Sequence, residues 1–216
     1  MGLLSAEDRE YLAKELEERL QGEVILHFFA DGNREASITT GQILEELEPL
    51  HELLMVKRYD FHRERAAAEG LQVDKAPAIV LARPDKIYGI RFFGTPAGYE
   101  FDSLVEGIID VSRGEADLPW EIVKELEELD SEVHIQVFVT PMCPYCPRAV
   151  RTAHKFALVS EHVTADMVMA TDFEELTARY GISAVPHMVV NERVSFVGAL
   201  PEHQFLREVL KSVGVR

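Results

Sequence analysis

The chain of 216 residues is poor in cysteine and in basic residues. It has only 2 cysteines, which excludes a framework of several structural disulfides and a four-cysteine zinc site. Its 22 basic residues stand against 38 acidic ones, for a formal net charge of −16. Because nucleic acids and anionic membranes attract basic patches, we expect neither as a partner.

Long apolar runs are also missing. No stretch of the sequence is long and apolar enough to span a bilayer, and the first residues lack the basic and apolar segments of a secretion signal. We therefore expect a cytoplasmic protein. Asparagine occurs only at positions 33 and 191 whereas glutamate is abundant, which leans towards a thermophilic source. The hydrophobic content of 47% is ample for a core, and the length predicts one large or two small domains.

Both cysteines fall in one tetrapeptide, Cys143-Pro144-Tyr145-Cys146. An apolar, β-branched run over 133–139 predicts a buried strand before it, and apolar residues at helical spacing predict a helix after it. Pro144 and Pro147 suit the first turn of that helix, where a missing N–H costs little. In a cytoplasmic protein such a pair is more often catalytic than structural.

The position of the motif at a helix start has a chemical consequence. The free N–H groups and the positive end of the helix dipole favour a negatively charged sulfur, and the thiolate is the attacking species in disulfide exchange. We predict Cys143 as the nucleophile and Cys146, a turn further in, as the more protected resolving thiol. Pro144 and Tyr145 complete the motif, and Tyr145 is predicted to be partly exposed.

Other interpretations of the pair stay open. A C-x-x-C pair can be half of a zinc site, but the 8 histidines are scattered and no second cysteine pair exists. Iron–sulfur ligation by Cys143 across a dimer, and two inert buried cysteines, are further possibilities. Redox exchange accounts best for the strand, loop and helix around the motif, so we expect no bound metal and no resident cofactor.

The chain repeats itself at a spacing of about 110 residues. Each half is predicted to run helix, strand, helix, strand, helix, strand, strand, helix, with a boundary in the turn-rich stretch 113–118. Residues 1–115 and 116–216 are therefore predicted as two similar units. Where the second unit has its cysteines the first has Asn33 and Ala36, so we expect the first to be a scaffold, a partner surface or a wall of the substrate cleft.

A proline opens the third strand of each half, at Pro77 and Pro186. A plain trans proline at a strand start is one interpretation, because proline removes a donor from the ladder. The redox motif favours the other, a cis proline beside the dithiol. Val185 would then offer its N–H and C=O to an extended peptide, so we predict Val185 and Pro186 as substrate-binding residues. Pro77 is expected to share the geometry without the role, and His187 to be packed or solvated.

Together, the strand, the C-P-Y-C motif at a helix start and the Val-Pro pair resemble the thioredoxin superfamily, and the tetrapeptide itself resembles the glutaredoxin motif. Two such units in tandem resemble the protein disulfide oxidoreductases of thermophiles and the N-terminal domain of the alkyl hydroperoxide reductase flavoprotein. The resemblance implies an α/β fold of two tandem thioredoxin-like units, each a central mixed β-sheet flanked by helices. It assigns Cys143 as nucleophile, Cys146 as resolving cysteine and Pro186 as the cis proline.

The function implied is a thiol–disulfide oxidoreductase that exchanges protein disulfides. The alternatives are an electron shuttle from a flavin-dependent reductase to a peroxidase, and a non-catalytic scaffold or metal-binding module. Candidate partners are protein disulfides, a thioredoxin reductase-like flavoprotein and a peroxiredoxin. Val137 occupies the strand position where thioredoxins bury an acid, so the sequence offers no evident carboxylate for the proton of Cys146. Trp120 is predicted to pack between the two units.

Overall fold

A computed structural model of the protein describes residues 2–32 and 34–214. The elements up to residue 115 are, in chain order, α1 (Ala6–Arg19), β1 (Val24–Ala30), α2 (Glu35–Leu47), a 3₁₀ turn (Glu48–Leu50), β2 (Leu54–Asp60), α3 (Arg65–Gly70), β3 (Ala78–Ala82), β4 (Ile87–Phe93) and α4 (Glu100–Arg113). Those that follow are α5 (Trp120–Glu127), β5 (Val133–Val139), α6 (Cys146–Val159), β6 (Val163–Met169), α7 (Glu174–Arg179), β7 (His187–Val190), β8 (Val194–Val197) and α8 (Glu202–Lys211). Across the described residues, no helix has the length and apolar character needed to cross a membrane.

Local sequence signals set the ends of the helices. α1 begins after a capping box, in which the Ser5 hydroxyl accepts the Asp8 N–H and the Asp8 carboxylate accepts the Ser5 N–H. Leu12 and Leu16, one turn apart, form its buried face. α4 ends where Gly114 takes a left-handed conformation with φ of 70°, a geometry that glycine adopts without penalty.

The strands form one mixed sheet in the order β2-β1-β3-β4-β6-β5-β7-β8. Three neighbouring pairs are parallel, β1 with β2, β5 with β6 and β4 with β6, whereas the hairpins and the β1–β3 and β5–β7 pairs are antiparallel. The β4–β6 pair joins strands from the two halves of the chain, in a register that sets Ile90 opposite Ala165 and Phe93 opposite Val168. The prediction of an α/β fold with a mixed sheet and flanking helices is confirmed, and the sheet is continuous.

Alternating strand residues build a core on each face of the sheet. Phe92 belongs to the larger core, which is covered by α1, α2, α4, α5, α6 and α8. Its neighbour Phe93 belongs to the smaller core on the opposite face, beside α3 and α7. The redox motif therefore lies at the start of a helix, α6, that is anchored to the larger core through Ala149, Ala153 and Phe156.

A buried ionic cluster lies at the junction of β4 and β6. The Arg91 Nε donates to Asp166 Oδ1 at 2.6 Å, and His134 Nε2 lies 2.6 Å from Asp166 Oδ2. Arg91 Nη1 also donates to the Gln72 carbonyl at 2.7 Å. Burial opposes ionisation of Asp166, yet Arg91 and His134 lower its pKa to about 2. Because a buried charge without its partner is costly, this pair fixes the register at which the two halves of the sheet meet.

The prediction for Trp120 is wrong. Its side chain is 68% exposed at the first residue of α5, so it does not pack between the two halves. The helix is held instead by Ile122 and Leu126, which are both fully buried. The spacing of these two residues places the indole ring on the opposite, solvent-facing side of α5.

Candidate functional site

The two cysteines are joined by a disulfide, with their Cα atoms 5.5 Å apart. β5 ends at Val139 and α6 begins at Cys146, so the pair spans the predicted junction of strand, loop and helix. Pro144 lies in the turn before α6 and not in its first turn, which corrects the prediction for that residue. The N-cap residue is Tyr145, and the prediction for Pro147 is confirmed, because this proline lies in the first turn of α6.

The exposure of the pair is unequal. Cys143 retains 8% of its surface and Cys146 none, which confirms that Cys146 is the more protected thiol. The residues beside them are far more open, with Met142 82% and Tyr145 71% exposed. The prediction that Tyr145 is partly exposed is confirmed. The disulfide therefore lies just below a surface that carries the exposed side chains of Met142 and Tyr145, and Cys143 is the cysteine that keeps some accessible area there.

The start of α6 favours a negative charge on Cys143. The N-cap residue Tyr145 gives no side-chain hydrogen bond to the first turn, and that turn holds no acidic residue. The Cys146 N–H already donates to the Cys143 carbonyl at 3.4 Å and Pro147 has no N–H, so it is the positive end of the helix dipole that faces the motif without a competing anion. On reduction, this environment stabilises a thiolate three residues before the helix.

Pro186 lies beside the end of β5. β7 pairs with β5 so that His187 is opposite Phe138, which sets Pro186 next to Val139 where the motif loop departs. The peptide bond between Val185 and Pro186 is cis, as predicted. Among the described residues, neither the N–H nor the C=O of Val185 has a hydrogen-bond partner, so both groups are available to another chain.

His187 faces away from the disulfide. Paired residues on neighbouring strands share a face, and Phe138 belongs to the core on the side opposite α6. The His187 Nε2 lies within hydrogen-bond distance of Ser195 Oγ, and burial lowers the pKa of the ring. The histidine is therefore a packed residue of β7.

The corresponding place in the first half is closed by an arginine. The Ala76–Pro77 peptide bond is also cis, but the Ala76 carbonyl accepts a hydrogen bond from Arg34 Nη1 at 2.9 Å. Arg34 Nη2 donates to the Asp172 carbonyl at 2.7 Å. Ala36 lies in α2, whereas Asn33, the other residue predicted at a cysteine position, lies outside the described residues. The carbonyl that a peptide would use here is already occupied.

Glu100 is a buried carboxyl group that the sequence prediction missed. It begins α4, its side chain is fully buried, and neither carboxylate oxygen is hydrogen-bonded within the described part of the chain. Burial raises its pKa to about 7. The preceding residue, Tyr99, donates its N–H to the Pro141 carbonyl in the motif loop at 3.1 Å. A carboxyl group that titrates near neutral pH therefore lies on the segment that contacts the redox loop.

One flank of α6 carries an ionic network. Arg151 Nη2 lies 2.8 Å from Glu106 Oε2, and Arg19 Nη1 lies 2.7 Å from Glu106 Oε1. Arg19 is the main cause of the lowered pKa of Glu106. A groove of about 850 Å³ runs along this flank, and neither cysteine lines it. Within residues 2–32 and 34–214, no cluster of three or more histidine, cysteine, aspartate or glutamate side chains is arranged to hold a metal.

Comparison with known proteins agrees with this geometry. Residues 133–211 match the family model of the thioredoxin domain. The chain is 22% identical over 190 residues to an NADH dehydrogenase of Ferdinandcohnia aciditolerans, an alignment that covers 88% of the chain and 34% of the relative. It is 26% identical over 190 residues to the AhpF component of the alkyl hydroperoxide reductase of Staphylococcus aureus, with the same coverage. The chain thus spans about a third of the length of these relatives.

Two solved structures are similar along nearly the whole chain. The NTD_N/C domain of alkylhydroperoxide reductase AhpF from Enterococcus faecalis has a TM-score of 0.88 at 26% identity, covering 95% of this chain and 99% of that one. A protein disulfide oxidoreductase from Aeropyrum pernix has a TM-score of 0.88 at 28% identity, covering 97% of this chain and 94% of that one. Residues 133–211 form a thioredoxin-like domain and, together with the cysteine pair, these similarities confirm the prediction of a thioredoxin-fold disulfide oxidoreductase.

Proposed function

We propose that the protein exchanges disulfides with other proteins through the Cys143–Cys146 couple. The observation that carries the proposal is a disulfide between its two cysteines, located where β5 leads into α6 and bordered by exposed apolar side chains. The metal-binding scaffold is not favoured, because sulfurs that are joined to each other are not available as thiolate ligands. The exposed Met142 and Tyr145 side chains beside the disulfide suit contact with a polypeptide.

The exchange proceeds in two steps. In the reduced protein the Cys143 thiolate attacks one sulfur of a substrate disulfide, forms a mixed disulfide and releases the other substrate sulfur as a thiolate. The Cys146 thiolate then attacks the Cys143 sulfur, closes the internal disulfide and releases the second substrate sulfur. The substrate gains two electrons and becomes a dithiol. A reducing dithiol reverses the two steps on the oxidised protein.

Val185 and Pro186 would hold the substrate during this exchange. Because the N–H and C=O of Val185 are unpaired within the described residues and lie beside the end of β5, an extended segment can pair with them as one strand pairs with another. Such pairing would carry a substrate sulfur over the partly accessible Cys143. The role of Val185 and Pro186 stays a proposal.

Glu100 would accept the proton of Cys146. The resolving thiol is fully buried, so it cannot lose its proton directly to water. A carboxyl group whose pKa burial raises to about 7 is suited to take that proton at neutral pH. Glu100 follows Tyr99, whose N–H donates to the Pro141 carbonyl in the motif loop. The acid that Val137 does not provide would thus come from the first half of the chain.

We propose that the chain consists of two tandem thioredoxin-like units, 1–115 and 116–216. The two halves share the order of their helices and strands, and each has a proline at the start of its third strand. In the first unit the substrate position is filled by Arg34, which makes that unit a structural support. The second unit carries the exchange.

The protein would act with a reductase or a peroxidase. The similarity to the AhpF component of alkyl hydroperoxide reductase supports a redox-partner role of this kind. We propose a thioredoxin reductase-like flavoprotein as the source of electrons, and protein disulfides, including that of a peroxiredoxin, as the acceptors. The cytoplasmic location stays a prediction.

The test uses the two cysteine variants against each other. In an insulin reduction assay with dithiothreitol, wild-type protein should accelerate precipitation of the insulin B chain, and Cys143→Ser should run at the rate of dithiothreitol alone. Cys146→Ser should accumulate mixed disulfides with insulin on a non-reducing gel, because the second attack is lost. Equal rates for wild type and Cys143→Ser would contradict the proposal, and trapping by Cys143→Ser would reverse the two roles.

A further inference from the structure

The segment 94–99 of the first half is anchored at both ends to the second half. At one end the Thr95 N–H donates to Asp172 Oδ2 at 2.7 Å. At the other end the Tyr99 N–H donates to the Pro141 carbonyl at 3.1 Å. This segment, hereafter the bridging segment, therefore connects the body of the sheet to the loop that carries the redox cysteines.

The loop it contacts is a tight turn. The Cys143 N–H donates to the Thr140 carbonyl at 3.2 Å, which places Pro141 and Met142 at the two central positions. The peptide unit between the central residues of such a turn can rotate with little change in the path of the chain, which is the difference between turn types I and II. The Tyr99 N–H binds the carbonyl of this same peptide unit and so fixes its orientation.

Gly98 permits this contact. A β carbon built on Gly98 would lie 2.9 Å from the carbonyl carbon of Pro141 and closer still to its oxygen. Those atoms are backbone and cannot move aside without moving the turn. Gly98 also has φ of 62°, a conformation that favours glycine. A side chain at this position would separate the bridging segment from the turn.

We propose that Gly98 and Tyr99 are positioning residues for Cys143, because they hold the Pro141–Met142 peptide in the orientation that keeps the Cys143 thiolate reactive. The inference rests on the proposed function of the cysteine pair. A rotated peptide would exchange the directions of the Met142 N–H and the Pro141 C=O one residue before the sulfur. The dipoles that surround a developing thiolate would change with it.

The chain offers a matched control for Gly98. Gly181 has φ of 64°, almost the same as Gly98, and a β carbon added there would meet nothing within 4 Å. Gly98→Ala and Gly181→Ala therefore introduce the same backbone strain, but only the first introduces a collision with the redox turn. A difference between the two variants reports the contact and not the loss of a glycine.

The experiment measures how fast reduced Cys143 reacts with iodoacetamide between pH 4 and 9, with the labelled peptide identified by mass spectrometry. For Gly98→Ala we expect the midpoint of the profile to rise by about 0.7 pH unit, so that below the midpoint alkylation is about fivefold slower. Gly181→Ala should stay within about twofold of the wild type at every pH. Coinciding profiles for the two variants would overturn the inference.

A second measurement covers the case in which Gly98→Ala does not fold. Hydrogen exchange of the Tyr99 amide in the wild-type protein should be slowed by the bond to Pro141, whereas exchange at the rate of a free amide would overturn the inference. The insulin assay separates the two proposals. If wild-type protein fails to reduce insulin but Gly98→Ala and Gly181→Ala still differ in alkylation, the proposed function is wrong and the positioning role stands. If wild-type protein reduces insulin and the two variants do not differ, the proposed function stands and the positioning role is wrong.

Discussion

Glu100→Gln replaces a buried carboxyl group by a neutral side chain of nearly the same shape. Burial raises the pKa of Glu100 from the ordinary value of 4.5 to about 7. A difference of roughly 2.5 units, at about 1.36 kcal/mol per unit, corresponds to about 3 kcal/mol. Because the folded protein holds this proton more tightly than the unfolded chain does, the free energy of unfolding falls as the pH rises from 4.5 to 7. Above pH 7 the folded protein bears the full free-energy cost of ionising a buried carboxyl group.

The variant removes that cost. In urea unfolding, the difference in the free energy of unfolding between Glu100→Gln and the wild type should increase in favour of the variant, by up to about 3 kcal/mol, as the pH rises from 4.5 to 8. Glu121→Gln is the matched control, since it makes the same substitution at an exposed acid in the first turn of α5, and its free energy of unfolding should follow that of the wild type over this range. A difference between Glu100→Gln and wild type that is constant with pH would refute the reasoning.

Three further predictions concern the core and the surface. Burial lowers the pKa of His154 to about 4, so the free energy of unfolding should fall as the pH drops from 6.5 to 4. In urea titrations, His154→Gln should lose less stability over this pH range than the wild type does. An equal loss in the two proteins would argue against a buried neutral histidine. Arg91→Met leaves Asp166 charged and buried, which should lower the free energy of unfolding by about 3–5 kcal/mol. The double variant Arg91→Met/Asp166→Asn should recover part of that stability. A double variant that loses the sum of the two single-variant losses would be inconsistent with an ion pair. Trp120→Ala should change stability by no more than about 0.5 kcal/mol, and acrylamide should quench the wild-type fluorescence efficiently; a shielded indole would contradict its exposure.

The features that the sequence predicts well are those carried by short patterns. The apolar run before Cys143 and the helical spacing after it place the motif correctly, because periodicity reports which side of a strand or helix is buried. The recurrence of Pro77 and Pro186 in equivalent contexts predicts their shared cis geometry. Burial of Cys146 below Cys143 follows from its position one turn further along the chain.

Features that depend on contacts between distant segments escape the sequence. Glu100 follows a tyrosine and opens a helix, where an acid is ordinarily exposed and stabilised by the helix dipole, so nothing local marks it as buried. Its only signal is position, since it lies just after the segment that meets the motif loop. Arg91 and Asp166 likewise become partners only through the parallel pairing of β4 with β6.

Trp120 is the reverse case, a residue that the sequence predicts to be buried and that the structure places at the surface. A single large apolar residue near a predicted boundary was expected to fill the interface, because burying it would stabilise the fold. The two halves are joined instead by the strand pairing of β4 with β6, by the ion pair of Arg91 with Asp166 and by the cores on both faces, and the indole takes part in none of these. Hydrophobicity alone therefore does not locate a residue between two units.

If the protein exchanges disulfides, Cys143 and Cys146 must cycle between disulfide and dithiol at potentials that cellular thiols can reach. The most direct measurement equilibrates the protein in glutathione buffers of graded ratio, quenches with an alkylating agent and counts labels by mass spectrometry. We expect a single two-electron transition at a potential above about −300 mV, with zero or two labels per chain. A pair that stays bonded at every glutathione ratio, as a purely structural disulfide does, would contradict it.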